Sequence, residues 1–247
     1  MTGLLRRLLA ELVGTGLLVT VVVGSGIAAQ QLSPGQVGLQ LLENSTTTVL
    51  GLTVLILLFG PVSGAHFNPV VSAVEWLLGR RAETGLTGRE VLAYTGAQLV
   101  GAVGGALLAN VMYGLPALQV SHKPRSSIGL WVGELVATAG LIALIVVLAR
   151  TGRAALSAGA VGAYIGAAYW FTSSTSFANP AVTVGRVFSD TFAGISPASV
   201  PGFVFAQLVG GVIGVILVLT LYPDADTAAD HVIVPHPATS DPRGASP

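Results

Sequence analysis

Two short stretches decide the fold: AHFNPVV at residues 65–71 and SFANPAV at residues 176–182. Asparagine is a strong N-cap, and proline is favoured in the first turn of a helix because its missing N–H is no loss there. Each Asn-Pro pair therefore predicts a helix that begins at its proline, Pro69 or Pro180. The apolar segments that follow these prolines are too short to cross a bilayer, which needs about 20 apolar residues. We expect two half-helices.

The composition places the chain in a membrane. Of the 247 residues, 52% are hydrophobic and only 9% are charged, and the mean hydropathy is +0.78. Soluble domains carry about 25% charged residues, so this composition excludes a water-soluble globule and a disordered chain. The 11 Lys+Arg residues balance the 11 Asp+Glu residues, so no basic field would attract nucleic acid. The absence of cysteine excludes disulfides and thiolate metal sites.

Six apolar stretches approach the length that a spanning helix needs. An even number of spans puts both termini on one side, and most arginines fall on that side, which predicts an inner (plasma) membrane protein with both termini cytoplasmic. The segment 223–247 is rich in Asp, Ala and Pro and is predicted to be a disordered cytoplasmic tail. The predicted spans are residues 9–29, 46–62, 91–115, 128–149, 154–171 and 201–221.

The chain also repeats itself, in two halves at about residues 4–115 and 128–222. The stretch GAQLVGAVGG around Gln98 matches FAQLVGGVIG around Gln207, and ELVGT near the start of the first half matches ELVAT in the second. Each half holds three spans, an odd number, so the second half must lie inverted relative to the first. Interrupted segments at matching places in inverted halves indicate a pathway near the bilayer midplane.

The half-helices predict the character of that pathway. Irregular backbone at membrane depth is tolerated only where it is buried in protein or lines a water-filled cavity. Half-helices that enter from opposite faces would meet N-terminus to N-terminus, and each N-terminus carries roughly half a positive charge, so the junction would repel cations. The side-chain amides of Asn68 and Asn179 would remain as hydrogen-bond donors to a passing neutral molecule.

The paired AHFNPV and FANPAV segments, the six spans, and the repeated Glu and Gln residues resemble those of the aquaporin, or major intrinsic protein, family. The resemblance implies an all-α membrane protein with six transmembrane helices and two re-entrant half-helices, arranged as an inverted repeat in a channel domain at residues 1–222. It implies a passive channel for water and small neutral solutes in the lipid bilayer, usually a homotetramer. By this resemblance Asn68 and Asn179 are the pore asparagines. Their boxes contain Pro69, Val70, Pro180 and Ala181.

This chain departs from the family at the constriction that selects solutes. Family members usually carry arginine three residues after the second asparagine, where this chain has Val182. Glycerol-facilitating members follow that arginine with aspartate, where this chain has Thr183. Without the arginine, the resemblance implies a filter that is small-sided and uncharged, with room for a solute larger than water. The other filter positions, carried over by spacing, are Ser176, Ala167 and Thr48, with Leu50 as the alternative to Thr48.

Two further features bear on which solute passes. Val70 stands where the family usually has alanine, so we expect it to narrow the middle of the pathway. Residues 177–203 resemble a bacterial subgroup associated with arsenic resistance, whose members lack the filter arginine. That resemblance implies a pathway for arsenous acid, which is neutral at pH 7 and comparable in size to glycerol. A water-selective channel is the alternative if Val70 closes the middle.

The remaining buried polar residues have mainly structural interpretations. An intramembrane carboxylate is a functional candidate by default, so an ion-coupled transporter that uses Glu11 and Glu134 is a remote alternative. Because both glutamates recur near span starts, we instead expect them to accept hydrogen bonds from loop backbone. Gln98 and Gln207 are expected to have similar structural roles.

His66 either lines the cytoplasmic vestibule or is a satisfied structural histidine. Arg186 lies seven residues past Asn179, roughly 10 Å along a helix, so we expect it at the outer surface rather than in the filter. No residues have convincing metal-ligand or catalytic spacing, so the sequence predicts neither an enzyme nor a bound metal or cofactor.

Overall fold

A computed structural model describes residues 3–80 and 84–223 of the chain, and every regular element in these ranges is a helix. Six of the helical segments are long and apolar enough to span a membrane. The predicted all-helical fold, with six spans and two half-helices, is confirmed. The α-helices are α1 (Gly3–Leu32), α2 (Val37–Ser63), α3 (Pro69–Gly79), α4 (Gly88–Met112), α5 (Ile128–Arg150), α6 (Ser157–Phe171), α7 (Pro180–Gly185) and α8 (Val200–Leu221).

Helix α2 begins well before the predicted span because its polar first turns find partners inside the protein. The Gln40 side-chain amide donates to the carbonyl of Ser33 at 2.8 Å. The Asn44 side-chain amide donates to the carbonyl of Val22 in α1 at 2.9 Å. These buried amides do not need water, so polarity does not end the helix at residue 46. Of the predicted tail at 223–247, residues 224–247 lie outside the described residues.

Glycines let the long helices of each half approach backbone to backbone. Helix α1 packs on α4, where a Cβ added at Gly105 would lie 2.0 Å from the carbonyl oxygen of Gly16. Helix α5 packs on α8, where a Cβ added at Gly214 would lie 2.5 Å from the carbonyl oxygen of Ala139. Small residues at such crossings are the usual means of close packing between membrane helices.

The two half-helices begin as the Asn-Pro pairs predict. The Asn68 side-chain oxygen accepts from the backbone N–H of Val70 at 3.0 Å and caps α3. The Asn179 side-chain oxygen accepts from the backbone N–H of Ala181 at 2.9 Å and caps α7. Helix α7 ends at Gly185 and continues as a single 3-10 turn, Arg186–Phe188, so the second half-helix is much shorter than the first.

Candidate functional site

The loop before each half-helix is held in an unusual conformation. Ala65 and Phe67 in the first loop have φ of +50°, and Ser176 and Ala178 in the second have φ of +49°. A left-handed backbone costs a residue other than glycine roughly 1–2 kcal/mol. The surrounding hydrogen bonds must therefore hold these loops in place.

Glu11 holds the first loop. Its carboxylate is fully buried and accepts from the backbone N–H groups of His66 at 3.0 Å and Phe67 at 2.7 Å. It also accepts from the Ser63 hydroxyl at 2.6 Å and the Gln98 side-chain amide at 2.8 Å. The loop N–H groups that would otherwise lack a partner are thus satisfied by one charged acceptor.

Glu134 repeats this arrangement in the second half. Its buried carboxylate accepts from the backbone N–H groups of Phe177 and Ala178, each at 2.8 Å, and from the Gln207 side-chain amide at 2.6 Å. In each half the two backbone donors are the residues that directly precede the asparagine. Both carboxylates are occupied as acceptors for loop groups, an arrangement suited to fixing the backbone.

The two asparagines join the loops where the half-helices meet. The Asn68 amide nitrogen donates to the carbonyl of Ala178 at 2.8 Å, and the Asn179 amide nitrogen donates to the carbonyl of Phe67 at 2.7 Å. An amide NH2 has two protons, so each asparagine retains one donor after this exchange. Both asparagines also line an internal cavity.

This cavity runs from His66 past the asparagine pair to Arg186. Its volume is about 60 Å³. The wall is mostly aliphatic, with a few polar groups at intervals, as in many sites for small molecules. The aliphatic side chains come from Leu18, Val22, Leu52, Ile56, Ala65, Val71, Leu141, Ile145, Val161, Ile165, Ala178 and Val182.

Three of the four predicted filter residues line this cavity: Thr48, Ser176 and Val182. Thr48 is only 2% exposed, and its hydroxyl lies 3.3 Å from the Tyr169 hydroxyl. Leu50, the alternative for the α2 position, is 63% exposed on the outside of the helix. The structure therefore places Thr48, and not Leu50, at the pathway.

The assignment of Ala167 to the filter is wrong. Ala167 is exposed on α6 and does not line the cavity, whereas Tyr169 is 3% exposed and does. Two residues correspond to about 200° around an α-helix, so these side chains point to opposite faces. Counting back from Asn179 fails because the irregular residues 172–178 intervene. An aromatic residue with a polar tip near the end of a span was the signal available in the sequence.

The expectation that Arg186 reaches the outer surface is also wrong. Arg186 is 2% exposed and lines the cavity. Its Nε donates to the carbonyl of Ala193, and its guanidinium carbon lies 3.4 Å from the centroid of the Phe177 ring. The predicted position of Arg186 relied on distance along a continuous helix. It failed because α7 ends at Gly185 and the long arginine side chain lies inward. This end of the pathway is therefore cationic and partly aromatic, not uncharged and small-sided.

Val70 does not narrow the middle of the cavity, contrary to expectation. It is buried but absent from the cavity wall, where its neighbour Val71 is found instead. A Cβ added at Gly211 of α8 would lie 2.6 Å from a methyl carbon of Val70. The glycine makes room for the valine, so the extra bulk is accommodated between helices.

This packing predicts a strong coupling between positions 70 and 211. Gly211→Ala should destabilise the protein by about 1–3 kcal/mol, because the added methyl would lie 2.6 Å from a methyl carbon of Val70, the only described neighbour within 4 Å outside the adjacent backbone of α8. Adding Val70→Ala should recover most of that loss. Thermal unfolding of both single variants and the double variant in detergent measures the coupling. Strictly additive effects would contradict the contact.

His66 lies at the opposite end of the cavity from Arg186. It is 6% exposed, with Nδ1 at 2.9 Å from the Ser72 hydroxyl and Nε2 at 2.5 Å from a carboxylate oxygen of Glu75. His66 therefore lines the pathway and is also fixed by partners on α3. The two interpretations that the sequence left open are compatible.

Comparison with known proteins agrees with this architecture. The family model described as "Major intrinsic protein" matches residues 1–175. The chain is 49% identical over 222 residues to the aquaglyceroporin AqpS of Rhizobium meliloti (strain 1021), covering 90% of this chain and 92% of that protein. It is 30% identical over 252 residues to the glycerol uptake facilitator protein of Pseudomonas aeruginosa, covering 86% and 87%.

A solved structure with a similar fold is the X-ray structure of the aquaglyceroporin from Plasmodium falciparum. The TM-score is 0.62 at 22% sequence identity, over 90% of this chain and 96% of that chain. Together with the family match and the two relatives, the paired asparagines and the six spans lead to one assignment. The chain belongs to the major intrinsic protein family.

Proposed function

We propose that the chain is a passive channel for water and small uncharged solutes, which pass through the cavity between His66 and Arg186. The observation that carries this proposal is the pair of asparagine amides, each with a spare donor, at the wall of a narrow cavity where two half-helices meet. Relatives named as an aquaglyceroporin, a glycerol uptake facilitator and a propanediol uptake facilitator support the solute class.

The chemistry of the wall favours compact molecules that carry several hydroxyl groups. Thr48, Tyr169 and Ser176 offer hydroxyl groups that both donate and accept, and Arg186 offers donors. The aliphatic remainder of the wall suits a carbon backbone. We therefore propose glycerol-like polyols and arsenous acid as permeants, with water passing beside them.

The pathway should reject cations. The N-termini of α3 and α7 meet at the asparagine pair, and helix N-termini carry partial positive charge. Arg186 adds a full positive charge at one end. We propose no ion coupling, because Glu11 and Glu134 are committed to loop hydrogen bonds.

We propose further that residues 1–222 form the channel domain, with its two halves in opposite orientation. The arginine distribution along the chain supports cytoplasmic termini in an inner membrane, which would put the Arg186 end outside. By family resemblance we propose a homotetramer with one pathway in each subunit. Native mass spectrometry of the detergent-purified protein would measure that assembly.

Osmotic shock with arsenous acid tests the proposed solute class. Proteoliposomes should shrink as water leaves and then reswell as the acid enters, with both phases faster than in protein-free vesicles. Fast shrinking without accelerated reswelling would indicate a water-selective channel. A proton gradient imposed across the same vesicles should not drive accumulation of the solute, whereas uphill accumulation would establish a coupled transporter.

A further inference from the structure

Three cationic side chains converge at the Arg186 end of the cavity. They are anchored by three consecutive backbone carbonyls, those of residues 192–194. The Lys123 ammonium donates to the first carbonyl at 2.7 Å, the Arg186 Nε to the second, and the Arg125 Nε to the third at 3.0 Å. One short segment therefore gathers three positive charges.

An aromatic ring fixes the two guanidinium groups beside the pathway. Their central carbons lie 3.4 Å (Arg186) and 5.0 Å (Arg125) from the centroid of the Phe177 ring. Phe177 lies two residues before Asn179 in the second loop, and it lines the cavity together with Arg186. Both arginines are buried, at 2% and 8% exposure. These side chains are part of the interior and are not a solvated surface patch.

Within residues 3–80 and 84–223, no carboxylate forms a close ion pair with any of these three cations, and the buried Glu134 acts on the two arginines only at longer range. Two of the ion pairs in these ranges lie elsewhere in the protein. The third joins the exposed side chains of His122 and Asp190. Glu134 is committed to the second loop. Burial and the neighbouring charges of Arg125 and Arg186 lower the pKa of the Lys123 ammonium to about 8. Desolvation and neighbouring positive charge both disfavour a charged ammonium, so the lowered pKa agrees with a buried position beside the two arginines.

The arginines also keep free donors. In the described part of the chain, neither terminal nitrogen of Arg186 has a protein hydrogen-bond partner, and Nη2 of Arg125 has none. Removing a charged group from water costs several kcal/mol when it lacks a counter-charge. Guanidinium groups bind phosphate-like oxyanions through paired N–H donors, which makes such an anion the natural partner.

We propose that Arg186 and Arg125, assisted by Lys123, form a binding site for a small tetrahedral oxyanion of the phosphate class at this end of the cavity. The bound anion neutralises the buried cations. Because Arg186 is part of the cavity wall, the anion also obstructs solutes that enter from this end. That effect on flux rests on the proposed function, whereas the binding itself does not.

Titration of the purified full-length protein with inorganic phosphate, followed by calorimetry, tests the binding directly. Saturable binding is expected in the wild type. It should weaken about tenfold or more in Arg186→Gln and in Arg125→Gln, a change of about 1.4 kcal/mol. The matched control is Arg89→Gln, which removes an exposed arginine at the start of α4 and should bind as the wild type does. Arg125→Lys keeps the charge but loses the paired donors, so it should weaken binding less than Arg125→Gln.

A flux measurement on the wild type complements the variants and does not depend on their folding. Glycerol permeability of proteoliposomes should fall saturably as phosphate replaces HEPES at constant ionic strength, over the concentrations at which binding saturates. Absence of saturable phosphate binding to the wild type would overturn the site, as would unchanged binding in both glutamine variants. Phosphate binding by a protein that conducts no glycerol would support the anion site while refuting the proposed function.

Discussion

Glu134→Gln is expected to abolish the stable channel. The substitution preserves size, but it removes the charge that accepts from Phe177, Ala178 and Gln207, and it turns an NH2 group toward those donors. Hydrogen bonds to a charged group contribute about 1.5–3 kcal/mol each, and the left-handed residues of the loop lose their anchor. We expect the free energy of unfolding to fall by at least about 3 kcal/mol. The measurements are melting temperature and the monodisperse fraction in detergent.

The control for this substitution is Glu43→Gln in α2, where one carboxylate oxygen accepts a single hydrogen bond from Ser33 at 2.7 Å. This substitution should lower the free energy of unfolding by less than about 1.5 kcal/mol. Glu11→Gln should behave like Glu134→Gln, because Glu11 has the equivalent partners in the first half. Retained folding and water flux in Glu134→Gln would show that the carboxylate is not what fixes the loop, and would reopen a role in proton coupling.

The second large effect is expected from Val182→Arg. Val182 lines the cavity one helical turn before Arg186, so a guanidinium at this position adds bulk and a second positive charge to the same stretch of wall. Glycerol permeability should fall about tenfold or more, equivalent to about 1.4 kcal/mol in the barrier, while water permeability falls much less. Stopped-flow light scattering on the same vesicles measures both permeabilities.

Val182→Met is the matched variant, since methionine supplies length without charge. It should reduce glycerol permeability only modestly. An equal loss of water and glycerol permeability in Val182→Arg would mean that position 182 does not discriminate between solutes, and the filter assignment would fail. Equal effects of arginine and methionine would show that bulk, and not charge, determines passage at this position.

The sequence predicted the fold because its determinants are local. Asn68-Pro69 and Asn179-Pro180 define helix starts through capping and through the fixed proline geometry, and both half-helices begin at these prolines. Hydrophobic length is likewise local, so all six spans were found. Span ends were less accurate because tertiary contacts extend helices, as Gln40 and Asn44 do for α2.

The wall of the cavity was predicted only in part because irregular segments and long side chains determine which residues line it. Thr48, Ser176 and Val182 line the cavity, but Tyr169 replaces Ala167 there and Arg186 lies inward. Neither helical periodicity nor fixed spacing applies across residues 172–178 or beyond the end of α7. Val70 was misplaced for another reason: its location depends on a glycine of α8 that is distant in sequence.

The central claim is that the cavity past Asn68 and Asn179 conducts small uncharged solutes, and a glycerol gradient tests it most directly. Proteoliposomes that contain the full-length protein are mixed rapidly with hyperosmotic glycerol while light scattering is recorded. The account predicts shrinkage followed by reswelling that is much faster than in protein-free vesicles and that stays proportional to the gradient without saturating. Reswelling at the protein-free rate would contradict it.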